Sequence, residues 1–184
     1  MEPVFTVGHG TRTTEELAAL LSGADATLLV DVRRFPGSRR HPHFAREALE
    51  ESLPALGVEY DWRGEELGGR RSRTKDSATR HPAWRNDAFG AYADYMDTPE
   101  FRTALERLEA EARNGLRLAV MCAETLWWRC HRRLIADALA LRGAEVVHLI
   151  QPGTTSVHPP NEWARLDDDR YPVYDVGVTG ELPL

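Results

Sequence analysis

Residues 27–33 read TLLVDVR, a continuous apolar run closed by Asp31-x-Arg33. A strand with one wet face alternates apolar and polar residues. A run without alternation suits a strand covered on both faces, the interior strand of a parallel sheet. VFTVG (4–8), VEYDW (58–62), LRLAVMC (116–122) and EVVHLI (145–150) read as further strands, most of them separated by helical stretches. Parallel neighbours need crossover connections, and helices supply them on both sides of the sheet. The expected fold is therefore α/β: a three-layer sandwich with a mostly parallel central sheet, of Rossmann-like or rhodanese-like topology.

The helices carry start and stop signals. In TTEELAALLSG, Thr13 or Thr14 can cap, Glu15 and Glu16 suit the first turn, and Gly23 stops the helix. Residues 46–57 form an amphipathic stretch weakened late by Pro54. DAFGAYADYM (87–96) is another helix. Thr98, Pro99 and Gly115 mark the next one, from cap to end. A helix is expected over about 126–142, with Leu134, Ala138 and Leu141 on one stripe and Cys130 about one turn in. Residues 63–88 read as an Arg-rich insertion loop, and the chain from about 151 as an irregular tail. All of this fits one domain over residues 1–184.

Composition narrows the function classes. There is no apolar run of about 18 residues and no basic-then-apolar leader, so neither a membrane span nor a signal peptide is expected. Two cysteines eight apart are not a disulfide framework, and a reducing cytoplasm is the expected setting. Net charge is −6, which excludes a generally basic nucleic-acid coat. Residues 33–46, RRFPGSRRHPHFAR, nevertheless hold five arginines, two histidines and no acid.

In doubly covered parallel sheets, ligands bind beyond the carboxyl ends of the strands. The polar residues fall at those ends. His9 follows the first strand between Gly8 and Gly10, Asp31 and Arg33 end the second, and Cys122 and Glu124 follow the fourth. His131 and Arg132 come soon after. These residues are expected to converge on one edge. Cys122, near helix-start amides and arginines, is a candidate thiolate nucleophile, with His9 or Glu124 handling the proton. Glu124 can equally pair with Arg33, and Asp31 and Arg33 can be a structural pair. Arg33, Arg39, Arg40, His131 and Arg132, with Asp31, are candidate substrate binders, because arginine grips phosphate bidentately. Cys130 is expected to be buried and inert, and Trp127 and Trp128 to be packing residues. A structural zinc site wants close-spaced ligand pairs; the spacing of Cys122, Cys130 and His131 does not provide them, so no metal and no other cofactor is expected.

VGHGT (7–11), VDVRRFPGSRRHPHF (30–44), ELGG (66–69), AYADYM (91–96) and MCAETLWWRCHRRLIAD (121–137) together resemble a prokaryotic domain-of-unknown-function family, number 488. His158 matches a histidine near that family's C-terminal end, while Gly10 stands where the family commonly has serine. The resemblance implies the α/β fold and the site positions, and carries no reaction with it. A weaker architectural likeness is to rhodanese-type domains, through DVR at 31–33 and a strand ending in Cys122. The leading expectation is an enzyme acting on a phosphate-bearing substrate, a nucleotide or nucleic acid. A non-catalytic nucleic-acid-binding module is the alternative, and a scaffold or interaction protein a third.

Overall fold

The computed structural model describes residues 1–37, 40–73 and 79–178. Its centre is a six-stranded sheet ordered β3-β2-β4-β1-β5-β6. The strands are β1 (Val4–Gly8), β2 (Leu28–Asp31), β3 (Glu59–Trp62), β4 (Leu118–Cys122), β5 (Val146–Gln151) and β6 (Thr154–Val157). The first five are mutually parallel, and β6 runs antiparallel on β5. The expected α/β sandwich with a mostly parallel sheet is what the chain adopts.

Side-chain alternation along the strands splits the core into two layers. Val4, Leu28, Val30, Leu118, Val120, Cys122 and Val146 face α4 (Asp87–Met96), α5 (Pro99–Arg113) and α6 (Arg132–Leu141). Phe5, Val7, Leu29, Ala119 and Met121 face α1 (Thr14–Gly23) and α2 (Arg46–Ser52). Capping follows the sequence signals. Thr13 and Glu16 form a reciprocal capping box on α1, Asn86 caps α4, and Thr98 caps α5 ahead of Pro99.

Three local expectations need correction. The helix expected from 126 begins only at Arg132. Trp127–Arg129 form a 3₁₀ turn and Cys130 is extended, at φ −134° and ψ 156°. Trp127 stacks flat on His148 at 4.3 Å, and this tertiary contact holds the chain out of helical register. Cys130 therefore precedes the helix. The long loop holds a short helix, α3 (Gly64–Leu67), whose carbonyls receive hydrogen bonds from the Tyr92 and Tyr95 hydroxyls. The segment after Gln151 contributes β6 and a small antiparallel pair, β7 (Ala164–Leu166) and β8 (Pro172–Tyr174). No helix among the described residues is long and apolar enough to cross a membrane.

Candidate functional site

The expected residues do reach one edge of the sheet, but on opposite faces. Asp31 shares the parity of Leu29, and His9 that of Val7, so both lie on the α1–α2 side. Cys122 lies on the α4–α6 side.

On the α1–α2 side, Arg33 is locked to Asp31. Its Nε donates to Oδ1 at 2.9 Å and its Nη2 to Oδ2 at 2.5 Å. The Tyr60 hydroxyl donates to the same carboxylate at 2.6 Å, and Arg33 Nη2 also donates to the Phe44 carbonyl. The His9 ring stacks on Phe44 at 4.2 Å. Its Nε2 accepts from Arg33 Nη1 at 3.2 Å, which leaves the proton on Nδ1, 3.0 Å from the Gly10 carbonyl. Burial, and then the Arg33 charge, lower the His9 pKa to about 4, so the ring is neutral near pH 7. Both nitrogens are occupied, and His9 does not line the cavity described below. The neighbouring glycines do not open a path to a ligand either. A Cβ on Gly8 would sit 1.9 Å from the Glu124 carbonyl oxygen, and one on Gly10 2.2 Å from Thr125 Oγ1. Gly8 admits the Glu124–Thr125 backbone and Gly10 the Thr125 side chain.

On the other side lies a cavity of about 620 Å³, within the range of small-molecule sites. Cys122, Cys130, His131 and Gly69 line it, together with Arg33, Arg34, Arg70, Arg129, Glu124, Asn86 and the aromatic residues Phe35, Phe89, Tyr92 and Trp128. Arg34 donates to the Arg70 carbonyl. Arg70 and Arg129 are exposed and have no side-chain ion pair or hydrogen bond among the described residues. Elsewhere in the Arg-rich segment, Arg63 pairs with Asp61 and Glu111, Arg73 with Asp94, and Arg80 with Asp97 and Asp167. Those arginines hold the fold together.

The sulfur, sulfur and nitrogen atoms of Cys122, Cys130 and His131 lie within 4.8 Å of one another. Cys122 Sγ is 3.9 Å from His131 Nδ1. Nε2 of His131 lies 3.1 Å from the Val32 carbonyl, an acceptor only, so Nε2 carries the proton and Nδ1 presents its lone pair. Cys130 Sγ accepts the Arg132 backbone N–H at 3.3 Å. Hydrogen bonding from Cys130 holds the Cys122 thiol well below its ordinary value. Burial opposes this, and His131 and Arg132 assist it. Burial, and then Cys122, push Cys130 up. The two thiols titrate as a pair in which Cys122 is the more acidic.

Arg132 gives that direction a physical reason. It is buried, its Nη2 reaches only the carbonyls of Glu124 and Thr125, and its Nε and Nη1 have no partner among the described residues. A buried guanidinium favours a neighbouring anion, and Cys122 lies close enough to feel its charge.

Glu124 is exposed at the cavity rim and makes no side-chain bond to Arg33. Arg132 and Asp31 do not line the cavity, and neither does the exposed Arg40. Arg39 lies outside the described residues. Trp127 packs on His148 as expected, whereas Trp128 stands in the cavity wall, about half exposed. Sequence reasoning passed over Arg70, Arg129, Asn86, Phe89 and Gly69, and treated Cys130 as inert. Arg129 and Trp128 stand in the motif already quoted; Arg70 carried no signal beyond its type.

The fold and the site define an α/β protein with an arginine-walled cavity beyond the carboxyl ends of a parallel sheet. The chain belongs to the family described as Domain of unknown function DUF488, whose model matches residues 13–139. That span contains Cys122, Cys130 and His131, and it leaves His9 and His158 outside. No curated protein and no solved structure matches the chain.

Proposed function

We propose that the cavity binds a phosphate-bearing molecule, a nucleotide or the end of a nucleic-acid strand, and that the protein acts on it as an enzyme at the Cys122–Cys130–His131 cluster. One observation carries this reading: Arg70 and Arg129, unpaired among the described residues, stand in the wall of the cavity whose floor holds that cluster. An unpaired guanidinium beside a concave surface suits a planar oxyanion. Phe35, Phe89 and Trp128 add aromatic surface to the same cavity, which favours a substrate with a base over inorganic phosphate alone. Glu124 at the rim is placed to move a proton.

Calorimetric titration of the protein with a nucleoside triphosphate, a 5′-phosphorylated oligonucleotide and inorganic phosphate tests it. The nucleotide or oligonucleotide is expected to bind more tightly than phosphate. Arg129→Ala and Arg70→Ala are each expected to weaken binding by about tenfold or more, the value of a charge-assisted hydrogen bond. Cys122→Ser is expected to leave binding and abolish turnover. Binding that ignores both arginine variants overturns the site. Binding that collapses steeply with salt, depends on Arg40 and is never followed by turnover would instead support a non-catalytic nucleic-acid module.

A further inference from the structure

We infer that Cys122, Cys130 and His131 are the protein ligands of a zinc ion whose fourth position opens into the cavity. The inference deepens the reading above, since it names the chemistry available at the floor of that same site. It rests on that reading only for what the open position faces.

The donor set comes first. Two sulfurs and one imidazole nitrogen converge within 4.8 Å of one another, and Cys122 Sγ lies 3.9 Å from His131 Nδ1. Around a tetrahedral zinc, with Zn–S near 2.3 Å and Zn–N near 2.0 Å, neighbouring donors stand about 3.6 Å apart. Shifts of a few tenths of an ångström to about one ångström close the difference. Each donor is also supported by its surroundings. The Val32 carbonyl fixes the proton of His131 on Nε2, so Nδ1 faces the sulfurs as a free lone pair; this is the outer partner that a metal-bound histidine commonly has. Cys130 Sγ already receives a backbone N–H at the start of α6, which stabilises a thiolate there. Tyr92 packs its ring edge to face with His131 at 5.0 Å and fixes the imidazole plane.

The space around the donors fits as well. A Cβ on Gly69 would lie 2.7 Å from His131 Nδ1 and 2.9 Å from Cγ. The contact falls on the face of the ring, so glycine lets the imidazole lie close against the backbone at residue 69 and keep its position beside the sulfurs. All three ligand residues line the cavity, and among the described residues no carboxylate joins the cluster. Three protein ligands with a fourth position open to a cleft are the pattern of a catalytic rather than a structural zinc. Two thiolates and an imidazole select zinc over harder divalent ions. Two thiolates neutralise the ion, and the buried charge of Arg132 then favours an anionic fourth ligand, such as hydroxide or a phosphate oxygen. Zinc at this point would polarise a phosphoryl group or activate a water.

The test uses the full chain, reduced and freed of metal with a chelator, titrated with Co²⁺ and then Zn²⁺. The expected result is one Co²⁺ per chain, with a sulfur-to-cobalt charge-transfer band and the intense visible bands of tetrahedral cobalt, displaced by one equivalent of Zn²⁺. Cys130→Ser, checked for folding by circular dichroism, is expected to weaken binding by more than about a hundredfold, beyond the loss from an outer-shell partner. The Arg70→Ala/Arg129→Ala double variant is expected to lose nucleotide binding and keep the cobalt spectrum, so the two readings fail separately. No stoichiometric binding by the wild-type chain at micromolar concentration, or a six-coordinate spectrum without the sulfur band, overturns the inference. So does a spectrum that a folded Cys130→Ser variant leaves intact.

Discussion

Two polar clusters sit at the same edge of the sheet, a strand's thickness apart, and they are built in opposite ways. The His9–Asp31–Arg33–Tyr60 group on the α1–α2 face is closed. Its carboxylate takes a guanidinium and a phenol, and both imidazole nitrogens have partners. The Cys122–Cys130–His131 group on the α4–α6 face is open. Its donors face a cavity, and two nitrogens of the neighbouring Arg132 have no partner among the described residues. Titratable residues at a strand end do not by themselves mark a site. Complete mutual satisfaction marks a structural knot, and incomplete satisfaction beside a concavity marks a place for something to bind.

The contrast breaks most sharply at Asp31. Asp31→Ala would leave the Arg33 charge buried without its partner, a loss of about 3–5 kcal/mol of folding stability. Urea denaturation measures it. Nucleotide binding by the fraction that folds should persist. A loss below about 1 kcal/mol would show that the knot does not hold the edge together.

A third polar group, also closed, gives a smaller effect. Thr6, His148, His158, Asp137 and Tyr174 form one buried hydrogen-bonded chain. Burial, and then the charges of His158 and Arg132, lower the His148 pKa to about 3. A histidine whose folded pKa lies below its unfolded value near 6.5 stabilises fully above pH 6.5. That contribution is lost as pH falls from 6.5 toward 3, at up to about 1.4 kcal/mol per pH unit. Denaturation midpoints should therefore drop between pH 6.5 and 4.5, and His148→Gln should flatten that limb at the expense of stability near neutrality. An acid limb that keeps its slope in His148→Gln would remove His148 as its source.

The smallest expected effect sharpens the open side. Gly69→Ala presses a methyl on the face of the His131 ring, 2.7 Å from Nδ1 and 2.9 Å from Cγ, and pushes the imidazole from its place. It should cost about 1 kcal/mol of stability in the metal-free chain, a small overpacking, while weakening Co²⁺ binding by about tenfold or more. Stability and cobalt affinity measured on one preparation decide it. Equal affinity in the variant would show that the position of the imidazole does not limit metal binding.

Much of this architecture was legible. The uninterrupted apolar runs predicted buried parallel strands, and Thr13 and Thr98 cap the helices they were expected to cap. The strand-end location of Asp31 and Cys122 followed from the same reading. The split between faces was available too, since it needs only a count of parity from Leu29 to Asp31 and from Val120 to Cys122. The start of α6 was not. Its periodicity runs back through Trp127, and only the stack on His148, twenty-one residues later in the chain, interrupts it.

The sequence by itself determined which segments pair and pack, because burial periodicity is a local property of the chain. It could not decide which arginines meet carboxylates. Arg63, Arg73 and Arg80 are of the same type as Arg70 and lie in the same stretch, yet they meet carboxylates from α4, α5 and β3 or from beside β7. Nor could spacing reveal the convergence of Cys122, Cys130 and His131. An eight-residue separation is too long for a compact ligand pair in an extended chain. It becomes short only when β4 ends, a 3₁₀ turn doubles the chain back, and α6 starts beside the strand it follows. Charge pairing and ligand convergence depend on distances through space, and the tertiary structure alone sets those.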